Sequence, residues 1–232
     1  MKNWMLLAFV TGTFLAFQLP APVLTNDALS EKMTFQEFLE EFEQTDLPFV
    51  LDHNDLIPEF NPYDWESAAD AQHDEKVITT DYQDFFPHVE RRRFSRMGPS
   101  TYYFEQQLAQ TDKFILVLYS ESQPMAMMKE HYTLVTYSPD GKIIDEFNLA
   151  HAYGLTDVTM GSINKNLEIT KTYATVEWKE EPYMVAVEEN EITELKLVES
   201  TKTRISKSGK FIDEGSFDAI PIEKPTETLD NA

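Results

Sequence analysis

The pattern of apolar and polar positions divides the chain into a helical first part and a strand-rich remainder. Phe35, Phe38, Leu39 and Phe42 fall at i, i+3, i+4 and i+7, one apolar stripe on a helix of about ten residues. Thr34 with Glu37 three positions on reads as a capping box at its start, and Leu47-Pro48 follows its end. Prolines at 48, 58 and 62 among Phe49, Phe60, Tyr63 and Trp65 predict an extended loop laid over the domain by its rings. A second short helix is expected over residues 80–86, stopped by Pro87.

Beyond Val89 the pattern turns to strands. Phe114-Ile115-Leu116-Val117-Leu118-Tyr119 is an unbroken apolar run, as expected of a strand buried on both faces. The next two strands, residues 132–137 and 142–149, flank Ser138-Pro139-Asp140-Gly141, where Pro and Gly suit a type I turn closed by a left-handed residue. Strands over 158–163 and 167–178 are joined through Asn164-Lys165-Asn166, and 183–188 is expected to pair with 192–198. In the latter, Thr193, Leu195 and Leu197 alternate with Glu194 and Lys196, giving one buried and one wet face. A last hairpin is read around Lys207-Ser208-Gly209. The expected fold is therefore mainly β within the α+β range: an antiparallel meander closing toward a barrel or sandwich, preceded by one or two helices. The predicted organisation is a signal segment at 1–25, an acidic aromatic helix-and-loop segment at 26–88 packed on the sheet, a β domain at 89–216, and a disordered tail at 217–232.

Two phrases, Tyr137-Ser138-Pro139-Asp140-Gly141-Lys142-Ile143-Ile144-Asp145 and Ser206-Lys207-Ser208-Gly209-Lys210-Phe211-Ile212-Asp213, are mutually similar. Both resemble the strand-turn-strand units of a loose group of uncharacterised exported β-rich proteins of gram-negative envelopes. The resemblance covers about half the chain and implies the texture of the fold, without any catalytic residue.

Charge and the N-terminus narrow the compartment and the partners. Among 232 residues, 41 Asp and Glu face 19 Lys and Arg, a formal net charge of -22 that disfavours nucleic acid and anionic membranes as partners. Residues 27–75 hold 15 carboxylates and one cation, Lys32. Lys2 followed by Trp4-Met5-Leu6-Leu7-Ala8-Phe9-Val10 has the basic start and short apolar run of a secretory signal, so the chain is expected to be exported, periplasmic or secreted. The absence of cysteine excludes disulfides, thiolate chemistry and a lipid-bearing cysteine.

Candidate chemistry is sparse. The five histidines, at 53, 73, 88, 131 and 151, form no H-E-x-x-H pattern, and no P-loop, dinucleotide fingerprint or G-x-S-x-G turn is present. Arg91, Arg93 and Arg96, within the one dense basic cluster, are anion-binding candidates on a strand, or else dock the acidic segment. Tyr63, Trp65, Tyr102, Tyr103 and Trp178 are candidates for an aromatic ligand platform. Asp52 and Asp55 are candidate calcium ligands lacking the EF-hand spacing, or else belong to a solvated loop, and Met125, Met127 and Met128 suit a strand-connecting loop tucked against the sheet, with copper binding by their thioethers as the alternative. No cofactor is expected. The expected function is non-enzymatic binding of a partner protein or small ligand, with an envelope hydrolase acting on glycans as the alternative.

Overall fold

The computed structural model describes residues 33–57, 76–91, 100–122, 131–182, 184–185, 187–222 and 224. They form one unit built on a ten-stranded mixed sheet. The chain enters through α1 (Phe35–Glu40), β1 (Glu43–Gln44), β2 (Phe49–Leu51) and α2 (His53–Leu56). A 3-10 turn (Thr80–Tyr82) and α3 (His88–Arg91) lead into the strands. These are β3 (Thr101–Gln110), β4 (Ile115–Ser122), β5 (His131–Tyr137), β6 (Ile143–Tyr153), β7 (Asp157–Ile163), β8 (Glu168–Trp178), β9 (Ile192–Ile205) and β10 (Phe211–Phe217). β3 to β10 run as an antiparallel meander, β1 adds in parallel beside β3, and β2 pairs with β7.

β4 shows why an unbroken apolar run was needed. Leu116 and Leu118 face the larger core, which also holds Leu134, Val158, Met160, Ile169 and Val176. Ile115, Val117 and Tyr119 face a second core, closed by α1 and residues 80–89. Phe38 of α1 is 0% exposed there, with the rings of Phe42, Tyr82, Phe85, Phe104 and Tyr137 at 5.4–5.8 Å. The Thr34 capping box forms, since the Glu37 amide donates to Thr34 Oγ1 at 3.2 Å while Glu37 Oε2 accepts from the Thr34 amide at 2.6 Å. The helix ends at Glu40, yet Phe42 stays buried in the turn that follows.

The similar phrases fold alike. In each, the serine amide donates to the carbonyl of the following lysine (Ser138 to Lys142, Ser206 to Lys210, both 2.8 Å). Each closing glycine, Gly141 (φ 83°) and Gly209 (φ 81°), occupies the left-handed region. Gly141 lies under the Phe35 ring, and Gly209 lies against Ile144 and Phe114.

The chain is mainly β, as the sequence predicts, while several finer expectations are corrected. The sheet does not close into a barrel. β6 pairs with β7 over three residues only, and β2 then takes the β7 edge. The β9–β10 turn returns to β6 through individual bonds, Lys210 Nζ to the Ile144 carbonyl (2.7 Å) and the Phe211 amide to Asp145 Oδ2 (3.1 Å), without a ladder. The acidic segment thus lies partly within the sheet, as β1 and β2, rather than only upon it. Residues 184–185 and 187–189 form turns and a 3-10 helix, and β9 pairs with β8 over its length; the run of Glu and Asn at 188–191 favours the turn. The helix expected over 80–86 is one 3-10 turn that ends before Pro87, and the Arg91 position is the end of α3 rather than part of a strand. The C-terminal segment is pinned as far as Lys224. The Ile220 amide donates to Ser200 Oγ, its carbonyl accepts from Thr172 Oγ1, and Ile222 is buried.

Candidate functional site

Among the described residues, the proposed site residues do not come together. Arg91 ends α3, while Arg93, Arg96, Tyr63, Trp65, Met125, Met127 and Met128 lie outside the described residues. Tyr102 and Tyr103 are buried on successive positions of β3, which point to opposite faces, so they share no platform. Trp178 is half-buried against the larger core and donates from Nε1 to the Leu155 carbonyl at 2.6 Å. Asp52 caps α2, accepting from the Asn54 amide at 2.8 Å, and Asp55 accepts from the Asp52 amide at 2.9 Å. Asp55 also pairs with Lys224 at 2.7 Å. These carboxylates are oriented by a helix cap and an ion pair, an arrangement that accounts for both without calcium. Among the described residues no group of three or more His, Asp or Glu is placed to hold a metal ion.

The register instead assembles a row of polar and aromatic side chains across the upper sheet. Successive cross-strand partners are Tyr102, Glu121, His131, His151, Thr159, Tyr173 and Glu199, one from each of β3 to β9. Residues directly opposite across neighbouring strands share a face, so all seven side chains lie on one side of the sheet, with Tyr102 buried in the smaller core at one end of the row. The His131 and His151 rings lie 5.9 Å apart, and Tyr153 packs on both, 4.8 Å from His151 and 5.9 Å from His131. Tyr153 is 59% exposed. Tyr173 is also exposed and donates from Oη to Asp157 at 2.7 Å, a bond that lowers the Asp157 pKa.

His151 is held at both nitrogens. Asn148 Oδ1 lies 3.1 Å from Nδ1, and Thr159 Oγ1 lies 3.2 Å from Nε2. With the amide oxygen accepting, the proton sits on Nδ1 and Nε2 accepts from the threonine hydroxyl. Burial, followed by the charges of Lys171 and His131, pushes the His151 pKa down to about 4. The chain Thr159–His151–Asn148 has the connectivity of a nucleophile, base and orienting group. Its base is poorly matched to neutral pH, because general bases work best with a pKa near the operating pH. Thr159 is also buried, at 6% exposed.

Carboxylates surround the row. Glu177 and Glu194 are exposed directly opposite one another on β8 and β9, a like-charge pairing that costs stability when no cation lies between. Among the described residues no ion pair engages Glu177, Glu194 or Glu199. Depressions among the described residues lie elsewhere. One of about 230 Å³ sits between Val50, Ile163 and Ile222, and one of about 360 Å³ sits beside β1 and β3. Neither lining set contains two carboxylates of the kind glycoside hydrolysis uses.

Sequence reasoning missed this row for a definable reason. Counting back from the turn at 138–142 puts Leu149 opposite His131, but two one-residue register shifts in β6 bring His151 there instead. The shifts are β-bulges, which leave no clear mark in the sequence. No known protein family, curated protein or solved structure matches the chain.

Proposed function

We propose that the chain is an exported, non-enzymatic binding protein, and that it recognises a basic partner protein through the face carrying His131, His151, Tyr153 and Tyr173. The observation that carries this reading is the exposed Tyr153 ring, braced by two histidines, in a row flanked by carboxylates that form no ion pair among the described residues. Tyrosines supply contact area at small entropic cost and recur at interfaces. The surrounding carboxylates set the charge of the partner, and a chain this acidic attracts basic surfaces at long range. The basic start and apolar run at the N-terminus support export. The hydrolase alternative has less support, since the Thr159–His151–Asn148 chain rests on a weak base and a buried hydroxyl.

A photoreactive phenylalanine analogue placed at Tyr153, with a second at Glu180 as control, tests the reading in the native cell. One defined adduct from position 153 alone is expected, and it should weaken with added salt. No adduct, or the same adducts from both positions, would overturn it.

A further inference from the structure

The depression beside β1 and β3 lies apart from the histidine face. We propose that it is a second binding site, for a neutral, hydroxyl-rich small molecule such as a saccharide. Its volume of about 360 Å³ falls within the range of small-molecule sites, roughly 300–1,000 Å³. Its walls are Gln44, Thr45, Asp46, Gln107 and Gln110 beside Leu108 and Ala109, a set rich in amides and without a cation.

Gln107 is the decisive residue. It is 94% buried, yet its carboxamide makes one hydrogen bond among the described residues, a long one of 3.3 Å from Nε2 to Gln110 Oε1. A carboxamide has two donors and two acceptor positions, and buried amides ordinarily fill most of them. Here the acceptor oxygen and one N–H remain for a ligand. β3 is bulged on both sides of this residue, between Phe104 and Gln107 and again between Gln107 and Ala109. Bulges of this kind re-aim side chains and gather next to binding sites. β1 spans only two residues, with the Thr45 amide on the Gln107 carbonyl, so the backbone beneath the site is held while the space beside it stays open. Donor and acceptor pairs on planar groups match adjacent hydroxyls. An anion would meet Asp46 and no positive charge.

The probes are three neutral disaccharides, cellobiose, maltose and N,N′-diacetylchitobiose, titrated into isotope-labelled protein with amide shifts followed by NMR. At least one should bind at millimolar concentration and move the amides of residues 44–46 and 107–110. Gln107→Leu keeps the volume and removes the free polar atoms. It should weaken binding at least about tenfold, the equivalent of about 1.4 kcal/mol, without lowering the melting temperature. Gln110→Ala, on an exposed side chain, should also weaken binding, and it decides the matter if Gln107→Leu folds poorly. No binding by any of the three, binding unchanged in Gln110→Ala, or shifts confined to Tyr153 and Tyr173 would each overturn the assignment. The last outcome would leave the histidine-face reading standing.

Discussion

Leu149 occupies the space into which a side chain on Gly161 would grow. A Cβ there would stand 2.5 Å from the Leu149 carbonyl oxygen and 2.6 Å from its Cγ. Leu149 is the extra residue at one of the two bulges of β6, and this contact seats it where β6 departs from β7. Gly161→Ala should therefore cost about 1–3 kcal/mol from overpacking, and Gly161→Val more. Gly215, at φ 98° with nothing within 4 Å of its Cβ position, is the control. Alanine there carries only backbone strain, about 1–2 kcal/mol, which does not grow with side-chain size. Urea midpoints for the variants at both positions check this; an unchanged midpoint for Gly161→Val would show that the junction opens freely.

Phe38→Ala should destabilise by about 3–5 kcal/mol, because the ring is wholly buried among six others. A small loss, with an unchanged denaturant slope, would mean that α1 contributes little to the smaller core.

The low pKa of His151 makes stability depend on pH in a definite direction. Its folded value, about 4, lies below the ordinary 6.5, so the unfolded chain binds the extra proton first. The contribution is complete above pH 6.5 and declines as pH falls toward 4. Discounted for partial exposure, the loss should be about 1–2 kcal/mol. Subtracting the pH profile of His151→Gln from that of the wild type isolates it among the many titrating carboxylates. A flat difference between pH 4 and 7 would refute the assignment.

The C-terminal residues make a further distinction. Ile222→Ala should cost about 2 kcal/mol through lost burial, whereas Lys224→Ala should cost ~0.2–1 kcal/mol, since its partner Asp55 is a partly exposed carboxylate. Thermal melts at low and high salt separate the two, because only the second depends on ionic strength.

What the sequence made legible was local. The Thr34 cap, the two-faced β4 and the twin turns at Gly141 and Gly209 each arise from a few neighbouring residues, and each formed where expected. What escaped was set at long range. Trp178 and Tyr102 read as ligand aromatics because composition does not reveal which rings the core takes. Ile220 and Ile222 read as a loose end because their partners, Ser200 and Thr172 among them, lie well back in the chain. The histidine row depended on two bulges, and Gln107 on a two-residue parallel strand too short to show as a pattern.

The pairing of β2 with β7 also bears on how the chain is made. Leu51 meets Gly161 about 110 residues later, and the Val50 side of that junction is lined by Pro221 and Ile222 near the other end. During synthesis, the first strands emerge long before anything exists to receive them. Until β7 and then residues 221–222 have been made, β2 has no edge to join and the seam stays unsewn. Contacts this distant in sequence slow folding and prolong the unfinished state. A chain interrupted between β2 and Ile222 should therefore lack this seam and be cleared more readily by proteases, while one that reaches past Ile222 can close it.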